Sequence, residues 1–123
     1  MRDVLYNRNI KSIKCFGIKD IDSFWYDCYE LTSIDLPDLL SIDCSYAVNC
    51  MFNLEEFKAP NLRFITNTTG TFKGDIKLKS LDFPMLTCIS GDYKSNDTGM
   101  GFPFMTCVSL SSVNMPNLKT AMK

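Results

Sequence analysis

The chain repeats itself. A pattern L-x-x-φ-x-φ-P-x-L-x-x-φ, with φ apolar, occurs at residues 31–42, 54–65, 78–89 and 110–121. A degenerate copy precedes them, with Ile10, Ile13, Cys15, Ile18 and Ile21 at the apolar positions. Four of the five prolines, Pro37, Pro60, Pro84 and Pro116, fall at one place in the pattern. A period of this length is the mark of a solenoid. Within each unit, φ-x-φ alternates apolar and polar residues, as a short half-buried strand does. Proline then ends the strand, having no N–H for the ladder. A second apolar pair, Leu62 with Ile65 for example, turns the chain back to the same core. One unit cannot bury its own apolar side, but a stack of units can.

A length of 123 residues suits a single domain spanning 1–123. Residues 1–9 read as an N-terminal cap. Residues 10–121 hold repeats starting near 10, 31, 54, 78 and 110, and 90–104 reads as a long inserted loop. Thirteen basic and fourteen acidic side chains leave a net charge of −1. Nucleic acid is therefore not expected as the main ligand, since that needs a basic excess. The absence of histidine removes Ser-His and Cys-His catalysis and His-ligated metal sites. No apolar run is long enough to cross a membrane as a helix, and the polar start lacks a signal peptide's apolar stretch. The six cysteines include no C-x-x-C pair, and read as reduced, buried thiols.

These units resemble the BspA-like leucine-rich repeats, in which L-x-x-I-x-I/L-P is followed by an I-G-x-x-A-F segment and then Cys shortly before the next Leu. Residues 42–50 resemble that segment with one extra residue. Residues 24–28 and 104–107 look like further copies of its aromatic-to-Cys piece. Residues 70–74 are similar, with Gly74 where the cysteine would sit. The resemblance implies an α/β-type solenoid dominated by short parallel strands: a right-handed superhelix of about five leucine-rich repeats, mostly strand and loop with little helix. It also implies inward, structural places for Cys28, Cys50 and Cys107. None of the three is flanked by Lys or Arg, as an activated thiol would be.

Two places are candidates for contact with a partner. The polar residue between the two strand apolars reads Lys14, Asp35, Lys58, Asp82 and Asn114 down the stack, an alternating-charge ladder. Lys11, Thr32, Glu55 and Lys79 lie beside it. Such a ladder either compensates itself across strands or presents a mixed-charge stripe. The inserted loop, rich in Gly, Asp, Ser and Asn, offers Asp92, Tyr93, Lys94 and Asn96. Acid–base chemistry could be sought only at Asp35 with Glu55 and Glu56, or at Asp82 with Asp92, and an open ladder encloses no pocket for it. The spacing from Asp92 to Asp97 lacks the ligand pattern and closing Glu of a calcium loop.

The expected function is non-enzymatic protein binding, with no cofactor, no metal and no membrane insertion. The family's occurrence on microbial surfaces and in phages points to a phage-encoded or bacterial accessory protein that binds or inhibits a host protein. Such a protein would sit in the host cytoplasm or on the virion. The alternative is a surface adhesin fragment, or a subunit that self-assembles end-on through an uncapped C-terminal repeat.

Overall fold

The computed structural model describes residues 9–22, 28–44, 46–66, 70–90, 104 and 106–121. They form a parallel-strand β-solenoid whose strands fall into two stacks. The first stack contains β1 (Ser12–Lys14), β3 (Ser33–Asp35), β5 (Glu56–Lys58), β7 (Ser80–Asp82) and β9 (Ser112–Asn114). The second contains β2 (Asp20–Ile21), β4 (Ser41–Asp43), β6 (Phe64–Thr66), β8 (Cys88–Ile89) and β10 (Thr120–Ala121). The second stack is one unbroken sheet in the order β10-β8-β6-β4-β2. The first is divided into a three-stranded sheet β1-β3-β5 and a pair β7-β9.

β1 to β7 each bury one residue, whereas β8 and β9 are only half-buried and β10 is exposed. Ile13 pairs with Ile34, and Ile34 with Phe57; Leu81 pairs with Val113. In the second stack Ile21, Ile42, Ile65, Ile89 and Ala121 are in register. The initial leucines Leu31, Leu54 and Leu78 are buried, and Leu110 is partly buried against the same core. The second stack was expected only as an apolar pair turning inward. Each of its strands has a single inward side chain, so no period of two is visible in the sequence.

The prolines lie in register, and they do more than end strands. In Leu36 to Leu39, Ala59 to Leu62, Phe83 to Leu86 and Met115 to Leu118 the leucine N–H donates back to the carbonyl three residues earlier, at 3.1–3.2 Å. Proline stands second in each of these turns, where its fixed φ is already correct. The corners are tied to one another as well. Asn61 Nδ2 donates to Pro37 O at 2.8 Å, and Asn117 Nδ2 donates to Pro84 O at 2.7 Å.

The α/β expectation is corrected: among the described residues there is no helix. The third side of the solenoid is built of short turns, joined by Val48 N to Thr71 O and Cys50 N to Lys73 O, both 2.8 Å. Tyr46, Gly70, Cys50, Gly74 and Thr106 have positive φ. A helix cannot pass through left-handed residues four apart, and a single turn is too short to offset nucleation. Gly70 suits its place on two counts, since its φ of +59° strains any side chain and a Cβ there would lie 2.8 Å from the Tyr46 ring.

Under the first stack sits a cluster of phenylalanines. Phe72 meets Phe57 edge-on at 5.2 Å and stacks on Phe83 at 6.2 Å and on Phe104 at 5.9 Å. Phe57 meets Phe83 at 6.3 Å. Phe57 lies in β5 and Phe83 directly follows β7, so the cluster packs beneath both strands at the division.

Candidate functional site

The outward face of the first stack carries the ladder foreseen from the sequence, but its pairing differs. Lys14 Nζ lies 2.9 Å from Asp35, an ion pair across β1 and β3. Lys14 also sits 5.5 Å above the exposed Phe16 ring. Lys58 pairs along its own strand with Glu56, at 2.9 Å. The hydrogen bond and charge of Glu56 raise the Lys58 pKa above its ordinary value, with Asp35 contributing. Asp82 accepts a hydrogen bond from Asn114 Nδ2 at 2.8 Å. The alternation is thus divided into separate pairs on either side of the opening. Being exposed, they contribute little to stability.

Among the described residues no hydrogen bond joins β5 to β7. An open cleft of about 350 Å³ lies there, lined by Asp35, Glu56, Lys58, Pro60, Ser80, Asp82 and Pro84 among others. A second, of about 400 Å³, is lined by Thr32, Ser33, Glu55, Glu56, Lys79 and Ser80. Of the residues singled out from the sequence, the structure gathers Asp35, Glu55, Lys58, Lys79 and Asp82 around one opening. Lys14 stands one strand away, at β1. Lys11 instead lends its carbonyl to Thr32, whose N–H and Oγ1 both donate to it. Asp92, Tyr93, Lys94 and Asn96 lie outside the described residues, as do residues 1–8 and most of the inserted loop. Glu56 was singled out only as a partner of Asp35 and Glu55, and Pro60 and Pro84 only as repeat markers; Ser80, beside the ladder, was missed.

The cysteines do not line up as the resemblance implied. Each initial leucine closes a turn onto the carbonyl three residues before it: Cys28, Met51, Asp75 or Cys107. Those four share the inward column. The extra residue in 42–50 moves Cys50 one place off it, and Cys50 is only half-buried while Met51 is buried. Asp75, rather than Gly74, holds the cysteine's place in its turn. None of the six cysteines is in a disulfide, and Cys28, Cys44 and Cys107 are buried. Burial, then the charges of Asp22 and Asp43, push the Cys44 thiol up to about 11. Burial, then the charge of Asp75, raises Cys107, whose Sγ donates to Phe72 O at 2.8 Å. Alkylation of the native protein near pH 8, followed by peptide mass spectrometry, should therefore label Cys15, Cys50 and Cys88 well before Cys44 and Cys107. Equal labelling of all sites would contradict the burial described.

Among the described residues no group of three or more His, Cys, Asp or Glu is gathered as a metal site. No helix among them is long and apolar enough to cross a membrane. Comparison of the chain with family models, with curated proteins and with solved structures finds no match.

Proposed function

We propose that the chain is a leucine-rich-repeat module of the BspA-like type, with five repeats, and that it binds another protein without catalysing a reaction. The repeat pattern and its inward apolar columns support the repeat assignment. The observation that carries the binding role is the opening between β5 and β7. There the strand ladder is interrupted, and side chains of both charges line an open cleft together. Charges at the rim set orientation and encounter rate more than affinity. The cleft is shallow and open to water, which suits a contact surface better than a reaction that must exclude solvent.

The test is affinity capture from extract with three baits: wild type, a variant carrying Lys58→Glu and Asp82→Lys, and a variant with residues 92–98 shortened. The substitutions are at exposed strand positions, where changes cost roughly 0.5 kcal/mol or less. One protein bound in stoichiometric amount by wild type and lost from either variant is the expected result. Identical capture by all three would remove both the ladder and the loop as binding surfaces.

A further inference from the structure

The turns that lead into each initial leucine form a row on the surface. Leu31, Leu54, Leu78 and Leu110 N–H groups close them at 3.1, 2.9, 3.2 and 3.1 Å. The second residue of each turn is Tyr29, Phe52, Ile76 or Val108, exposed by 41, 44, 40 and 79%. Exposed turn positions ordinarily hold Gly, Pro, Asn, Asp or Ser, yet all four here are apolar. Tyr29 and Phe52 lie parallel, 5.9 Å apart. The third turn residues are Glu30, Asn53, Lys77 and Ser109. They run beside the row, and Asn53 and Lys77 are linked along it. Asn53 Nδ2 donates to Tyr29 O at 2.6 Å, and Lys77 Nζ donates to Asn53 Oδ1 at 2.7 Å. The border of the row is therefore anionic at Glu30, neutral at Asn53 and cationic at Lys77.

We propose that this row binds a second copy of the same chain, in antiparallel fashion, about a two-fold axis crossing it at right angles at Phe52. That arrangement sets Phe52 against its own equivalent and Tyr29 against Ile76. It also brings Glu30 opposite Lys77 twice, because an isologous contact repeats each pairing. A parallel arrangement, with the axis along the row, would place the two borders on opposite flanks and form neither pair. The order of charges along the border thus selects the antiparallel form. At ~4.8 Å per strand spacing the row is only ~15 Å long, well under the ~800 Å² per partner of a standard interface. The dimer is accordingly a weak one.

Sedimentation velocity at low salt, over protein concentrations from about 20 µM to about 1 mM, tests it. Wild type should pass from monomer to dimer across that range. Phe52→Lys should remain monomeric with an unchanged circular dichroism spectrum, since the side chain is exposed in a turn. Glu30→Lys should weaken the dimer a few-fold, and adding Lys77→Glu should restore it. A wild type that stays monomeric throughout would overturn the proposal, as would dimers that survive Phe52→Lys. Failure of the double reversal to restore dimerisation would overturn the antiparallel register.

Discussion

Replacing Phe72 with alanine should lower the unfolding free energy by about 3–5 kcal/mol. The ring is fully buried and touches Phe57, Phe83 and Phe104. Its removal leaves a cavity among rings that are themselves held by strands and turns on different sides of the solenoid. Those sides cannot all close in on one gap, so the loss should stand near the upper end for a core phenylalanine. Phe72→Leu keeps most of the volume and should cost less than half as much. Phe64→Ala is the matched control. Phe64 also belongs to the repeat, but in β6 it points outward and is 45% exposed. Its replacement should cost about 0.5 kcal/mol or less. Urea unfolding of the three variants measures this directly. Equal losses at 64 and 72 would mean that the inward and outward assignments are wrong.

What was legible from the sequence was whatever repeats with a residue type of narrow use. Proline at one repeat position, with leucine six residues before it and two after, marks a corner, and the structure has a turn at each. Ile34, Phe57 and Leu81 could be read as inward because a second apolar residue, Leu36, Ala59 or Phe83, follows two places on. The second stack shows no such alternation, since Ile65 and Ile89 are followed two places on by Asn67 and Gly91. The inward column before each leucine was misread for a different reason. Alignment on the chemical identity of cysteine placed Gly74 there, whereas counting three residues back from each leucine gives Cys28, Met51, Asp75 and Cys107. Hydrogen-bonded turns conserve spacing, whereas a column in the core accepts any side chain that fits. The ladder of charge was visible as a list of residues. Its pairing was not, because Lys58 turns to Glu56 on its own strand and the ladder is interrupted between β5 and β7.

Asp75 should make the protein lose stability as pH rises from about 4 to about 8. The residue is fully buried, one of its oxygens accepts from Met51 N–H at 2.9 Å, and the other has no partner. Burial pushes its pKa up from 3.8 to about 8, against the smaller opposing effect of the Met51 bond. In the unfolded chain the acid ionises near its ordinary value. Between the two values the folded state therefore holds a proton that the unfolded state has released. Stability falls as pH rises wherever the folded state binds more protons. The contribution is complete below about pH 4, declines through neutrality, and is exhausted once pH exceeds the folded value. At ~1.36 kcal/mol per pH unit the total is at most on the order of 5 kcal/mol. Asp75→Asn keeps an oxygen for Met51 and cannot ionise, so its stability should be nearly flat across the same window. Urea unfolding of both proteins at several pH values decides the matter. A slope that survives in Asp75→Asn would assign the effect to another group. A wild type without the slope would mean that water reaches this carboxyl, and that the column it shares with Cys28, Met51 and Cys107 is open to solvent at that turn.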